Sequence, residues 1–353
     1  MADGGVPFVV KPTARRPLSR KVDEERVERV FASLTLREKA GQLVLAYPQI
    51  SRTTPVEVGG VLFVGNALRN ITAAKARIGS TLARAKVPPF FAVDMEGGPT
   101  NRLKSIKALR GMPTARDLAA LDDAEVLKWG KQVGETMRNI GLNLNLAPVF
   151  DIADAGHMAD NRRSFSGDPE VVVAKATAYA RGLLEAGVVP IGKHYPGYGA
   201  LAGDSDHSLV TADWKGEEVG RHASVFGRAA EVLGGVMLAN IIYSAYGSKP
   251  AIVTSALVDQ AHQHEWLSVT DDISIKLLAN ALGGTSEKVL EESFLAGNDL
   301  LLTTAPPDWD KGLDYIGVLA RLAERDEAAK TKLESACKRV LRLKDKMKLL
   351  EGL

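Results

Sequence analysis

Between Val22 and Leu43 apolar residues recur at helical spacing, including Val27, Val30, Phe31 and Leu34, which predicts a helix followed by the string SLTLREKAGQL. Downstream the period changes. Short β-rich runs alternate with longer amphipathic segments, the rhythm of βα units around a parallel sheet. The runs that read as strands are Gln42–Ala46, Gly59–Val64, Pro89–Asp94, Leu142–Asp151, Val188–His194, Gly235–Tyr243, Leu267–Asp271 and Asp299–Thr303. Helical stretches such as Ala124–Ile140, Pro169–Ala186 and Trp214–Leu233 separate some of them. An open doubly wound sheet is the competing architecture, but no G-x-G-x-x-G turn or Walker-type loop joins an early strand to a helix. The expectation is an α/β fold built as a single (β/α)8 barrel of the TIM type, with irregular strands allowed.

No Gly-, Ser- or Pro-rich linker divides the chain, and no short repeat appears beyond the βα alternation. The reading is an N-terminal arm over residues 1–21 and one barrel domain over 22–353. The last part, Asp326 to Leu350, alternates charge with Leu333, Val340, Leu343 and Met347 at near-helical spacing. It reads as a surface helix packed on the domain rather than as a nucleic-acid or membrane helix.

Composition narrows the classes. The chain has 353 residues, 45% of them hydrophobic, enough for a substantial core and against disorder. Lys and Arg number 45 against 43 Asp and Glu, so no strong field favours nucleic acid or an anionic membrane. No apolar run approaches the ~20 residues that span a bilayer, and the N-terminus lacks a signal-peptide core, so the expectation is a soluble protein. The single Cys337 excludes an internal disulfide framework and a multi-cysteine zinc site. A cytoplasmic location follows as a provisional expectation. Oligomeric state has no sequence signal.

In a βα barrel the carboxyl ends of the strands converge on one face. Polar residues stand there repeatedly: Asp94 and Glu96 in FFAVDMEGG, Asp151 in LNLAPVFD, Lys193 and His194 in VVPIGKHYPG, Asp271 and Asp272 in WLSVTDD. Carboxylates at the end of a buried strand are costly unless paired or functional, so their recurrence points to a polar active site. For Asp151 and Asp272 a helix-capping role is an equal alternative.

The strings LTLREKAGQL, AVDMEGGPTNRL, LNLNLAPVFDIA, NRRSFSGDPEVV, KHYPGYGALAGDSDHSLV and SVTDDISI, in this order, resemble the successive blocks of glycoside hydrolase family 3. The nearest branch is the single-domain β-N-acetylhexosaminidases, which cleave terminal N-acetylglucosamine in bacteria. The resemblance spans most of the chain, from about Leu34 to the Asp299 region. It implies a barrel and a retaining mechanism in which Asp271 matches the nucleophile. Asp94, Arg102, Arg163, Lys193 and His194 match positions that hold the sugar hydroxyls and N-acetyl group. The chemistry suits that assignment, because a carboxylate with nearby cationic donors binds adjacent hydroxyls by charge-assisted bonds. A carbohydrate is the implied partner, with no cofactor.

In this branch the proton donor is a histidine in D-S-H, supported by the aspartate of the same motif. Here the stretch reads GDSDHSLV: Asp204 and Ser205 match, Asp206 occupies the histidine position, and His207 follows. Three readings stay open. The His207–Asp204 pair serves as acid/base, Asp206 itself does, or proton transfer is crippled and the chain is a carbohydrate-binding or regulatory homologue. A β-glucosidase is a further alternative. Tyr198 stands where the branch often has the second histidine of P-G-H-G, Pro99 where arginine often follows E-G-G, and Thr270 where serine is common. His157, in the loop GHMADN, lies near the presumed active face. His222, His262 and His264 read as surface or packing residues, and no histidine spacing suits a metal site.

Overall fold

The computed structural model describes residues 17–47, 56–304 and 314–353. Most of the arm expected over 1–21 lies outside the described residues. Ten strands follow in order: β1 (Val44–Ala46), β2 (Gly60–Leu62), β3 (Phe90–Val93), β4 (Leu144–Asn145), β5 (Val189–Tyr195), β6 (Val210–Ala212), β7 (Gly235–Leu238), β8 (Ile241–Tyr243), β9 (Leu267–Thr270) and β10 (Leu301–Thr303). Eight of them pair in parallel in the order β10-β1-β2-β3-β4-β5-β7-β9. Between β9 and β10 the Leu300 amide donates to Ser268 and the Thr270 amide to Leu300, at 3.0 and 2.9 Å, which draws the sheet into a nearly closed barrel.

The barrel strands are short because both faces are buried and each run needs to span only the packed interior. Leu45, Leu62, Phe90, Leu144, Ile191, Met237, Val269 and Leu302 fill that interior. Alternate residues such as Val44, Val61, Phe91, Val93 and Val236 face the helices. Where Asp123–Ile140 packs on Pro169–Glu185, a Cβ on Gly130 would stand 2.2 Å from the Tyr179 carbonyl oxygen, so only glycine allows the two backbones to approach this closely.

Every expected strand overlaps an observed one; β5 runs one residue past the expected His194, and two runs differ more in extent. The run Leu142–Asp151 keeps only β4 in the ladder, since Pro148 has no N–H to donate, and beyond it the chain meets β5 through a single bridge from Val149 to Lys193. The run Gly235–Tyr243 divides into β7 and β8, and β8 leaves the barrel to pair with β6 in a separate two-stranded sheet. That sheet anchors the far end of the loop after β5. The N-terminal periodic segment forms two helices, Glu24–Ser33 and Leu36–Gly41, the second started by a Thr35–Glu38 capping box. The C-terminal helix runs Glu327–Lys346 and buries Leu333, Val340 and Leu343. Among the described residues no helix is long and apolar enough to cross a membrane.

Candidate active site

A cavity of about 390 Å3 opens at the carboxyl ends of the strands. Its apolar floor is the top of the barrel interior, Leu62, Leu146, Met237 and Leu302. Asp94, Arg102, Arg163, Lys193, His194, Asp204, Asp206 and Asp271 all line its walls. Of the site residues expected from sequence, His207 alone is not part of that lining.

The turn after β3 supplies two carboxylates. Asp94 takes a bidentate bond from Arg102, Nε to Oδ1 at 2.8 Å and Nη2 to Oδ2 at 2.5 Å, which raises the guanidinium pKa. Glu96 is buried between two cations: Arg163 donates from Nε and Nη2 at 2.8 and 2.9 Å, and Lys193 Nζ lies 2.5 Å from Oε1. Burial opposes the Glu96 charge, but Arg163 and Lys193 outweigh it and hold the carboxyl well below the usual range. The triad preorganises two cations at the cavity wall, since removing any member would strand a buried charge.

His194 is held the same way. Its Nδ1 lies 2.7 Å from Oδ2 of the fully buried Asp151. A carboxylate only accepts, so Nδ1 carries the hydrogen. Asp151 Oδ1 also accepts from the amides of His194 and Tyr198, at 3.2 and 2.7 Å. Asp151 is therefore not a helix cap; it orients the imidazole and the turn behind it.

Asp271 follows β9 and its amide donates to the Leu238 carbonyl at 3.0 Å. Its Oδ1 accepts from the Asp272 amide at 2.8 Å. Burial pushes the carboxyl up to about 6; His194 and the Asp272 amide work against the rise, while the charges of Asp206 and Asp272 add to it. Asp272 accepts from the Ser274 amide and hydroxyl at 2.9 and 2.6 Å and from Thr304, tying the end of β9 to the end of β10. It closes a turn and braces the barrel rim.

The loop after β5 is fixed by Tyr198. Its hydroxyl donates to the Gly203 carbonyl at 2.7 Å and accepts from the Ser205 amide at 2.8 Å. Gly199, at φ +60°, lets the chain turn under the Trp214 ring, where a Cβ would come within 2.4 Å. Asp204 is fully engaged: Oδ1 accepts from the Asp206 amide at 3.0 Å, and Oδ2 lies 2.9 Å from His207 Nδ1. The His207 side chain is 82% exposed. Its bond to Asp204 raises its pKa.

Sequence reasoning gave too little weight to Glu96, Tyr198 and His157. His157 lines the cavity, its ring stacked on Tyr198 at 5.7 Å and its Nε2 3.9 Å from Asp204 Oδ1. For Glu96 the signal was the second acid of D-x-E-G-G; for Tyr198 it was its place in P-G-Y-G, and for His157 its place in the loop GHMADN after another strand. His222 stacks on Trp214, His264 on Trp266, and His262 bonds Asp299, all away from the cavity. Among the described residues no three His, Cys, Asp or Glu side chains converge as a metal site would.

Comparison with known proteins agrees with this architecture. A beta-hexosaminidase LpqI from Mycobacterium tuberculosis is 30% identical over 88% of this chain and 82% of its own length. A beta-hexosaminidase from Neisseria meningitidis is 28% identical over 71% of this chain and 72% of its own. The solved structure of M. tuberculosis LpqI superposes with a TM-score of 0.77 at 26% identity, covering 93% of this chain and 96% of that one. Residues 35–343 match the Glycosyl hydrolase family 3 N terminal domain, and the chain belongs to that family of glycoside hydrolases.

Proposed function

We propose that this chain is a retaining, exo-acting β-N-acetylglucosaminidase that removes terminal N-acetylglucosamine from muropeptide or chitin-derived oligosaccharides. The observation that carries the reading is the enclosure of Asp271 in the same cavity as the Asp94–Arg102 pair and the Glu96–Arg163–Lys193 triad. The names of the beta-hexosaminidase relatives support the choice of sugar.

The geometry suggests how the residues divide the work. Asp94, Arg102, Arg163, Lys193 and His194 present acceptors and donors to the hydroxyls and N-acetyl group of one sugar, above an apolar floor suited to a ring face. Asp271 attacks C1 and forms a glycosyl ester as the aglycone leaves with a proton from the Asp204 wall of the cavity; water then releases the sugar. A carboxylate tuned to about 6 is ionised at neutral pH, as a nucleophile requires. We infer a cytoplasmic setting from the single cysteine, Cys337, which leaves no internal disulfide to form; cell fractionation tests it.

Asp271→Asn tests the function. Turnover of a chromogenic N-acetylglucosaminide is expected to vanish while the sugar still binds, and unchanged turnover would refute the assignment. Comparing N-acetylglucosaminide with glucoside substrates decides between hexosaminidase and glucosidase.

A further inference from the structure

Cleavage of an unactivated glycoside needs a proton at the leaving oxygen, and the residues around the Asp204 wall differ in what they can give. Asp204 has both oxygens committed. Burial works against its charge, yet the Asp206 amide and His207 hold it below the ordinary range, so it has no proton to offer. The Tyr198 hydroxyl is spent on the Gly203 carbonyl. Arg102, Arg163 and Lys193 are bound in ion pairs with Asp94 and Glu96.

Asp204, Ser205 and Asp206 line the cavity, and the loop turns away from it at His207. Ser205 is buried and its amide is fixed to Tyr198, and the next two residues part: Asp206 lines the cavity, while the His207 ring projects into solvent. We propose that Asp206 protonates the leaving oxygen, forming with Asp271 a two-carboxylate acid and nucleophile pair in one cavity, and that His207 is a positioning residue that holds Asp204 under the Asp206 amide. This rests on the glycosidase reading above and specifies its donor.

Asp206 stands at the mouth, where the aglycone of an exo-cleaved sugar must lie; it is the exposed member of the pair and Asp271 the enclosed one. In the first step the Asp271 carboxylate bonds to C1, the C1–O bond breaks, its electron pair goes to the leaving oxygen, and that oxygen takes the Asp206 proton. In the second, the Asp206 carboxylate takes a proton from water, the water oxygen bonds to C1, and the ester electron pair returns to Asp271. Atoms and charge balance in both steps.

Asp206→Asn, His207→Gln and His157→Gln are compared on an N-acetylglucosamine disaccharide and on the dinitrophenyl glycoside, whose leaving group needs little acid help. Asp206→Asn is expected to lower kcat/KM on the disaccharide by about a hundred- to ten-thousandfold and on the dinitrophenyl substrate by less than about tenfold. Added azide should then raise its kcat on the dinitrophenyl substrate and yield a glycosyl azide of retained configuration. Asp206→Glu should recover part of the disaccharide activity. His207→Gln should weaken both substrates in parallel with no azide effect. Leaving-group dependence and azide rescue in His157→Gln or His207→Gln, and not in Asp206→Asn, would overturn the proposal. No turnover of either substrate by the parent protein would instead bring down the glycosidase reading itself, so the two failures are separable.

Discussion

Asp271 makes the fold less stable than it need be, and the size of that cost can be worked out. The carboxyl moves from an ordinary 3.8 to about 6 on folding. At 1.36 kcal/mol for each tenfold change, the displacement corresponds to about 3 kcal/mol, an upper figure because one side of the group faces cavity water. A carboxyl whose folded pKa is raised contributes its stability below the unfolded value and loses it as pH climbs through the folded one. The ionised form is therefore the burdened form, and above about pH 7 the fold bears the whole cost. Asn in place of Asp271 carries no charge and can still accept the Asp272 amide through Oδ1. Urea melts at about pH 4 and about pH 7.5 should show Asp271→Asn gaining up to about 3 kcal/mol over the parent at the higher pH and close to nothing at the lower, with unchanged m-values. A gain independent of pH, or a loss at about pH 7.5, would refute the reasoning that burial of this charge dominates.

Other consequences are read by comparable means. Glu96→Gln leaves Arg163 and the buried Lys193 without their carboxylate, so thermal stability should fall by about 3–5 kcal/mol and sugar binding should weaken together, measured by calorimetry and titration. Tyr198→Phe removes the hydroxyl that bridges Gly203 and Ser205; the cost should be about 1–3 kcal/mol, with KM rising more than kcat falls. On the dinitrophenyl substrate kcat/KM should decline as pH drops through about 6, where Asp271 takes up its proton. At the opposite end of the barrel, burial pulls Lys344 down from 10.5 to about 7, with Nζ donating to Gln42 at 2.6 Å. The unfolded chain then holds more protons between about pH 7 and about 10.5, so stability should rise across that window, and Lys344→Met should flatten the rise in pH-dependent melts.

The barrel was legible because its strands are buried on both faces and so stand out as apolar runs between amphipathic helices. The break after β7 was hard to read: Gly235–Tyr243 is apolar apart from Asn240, and only the three-dimensional neighbour β6 decides that β8 leaves the ladder. At the site, residue types at strand ends located Asp94, Lys193, His194 and Asp271. Their partners were harder to see. Glu96 binds Lys193 across 97 positions of chain and Asp151 orients His194 across 43, pairings that only the closed barrel creates. The facing of Asp206 and His207 also lay beyond the sequence, because the Tyr198 hydroxyl fixes which of two neighbours turns inward.

The most direct measurement traps the intermediate. Incubation with a substrate analogue whose glycosyl ester is slow to hydrolyse, followed by peptide mass spectrometry, should find one sugar residue attached to Asp271, and proton NMR of the ordinary reaction should show product released first as the β anomer. A label on any other carboxylate, or first product of inverted configuration, would contradict the account.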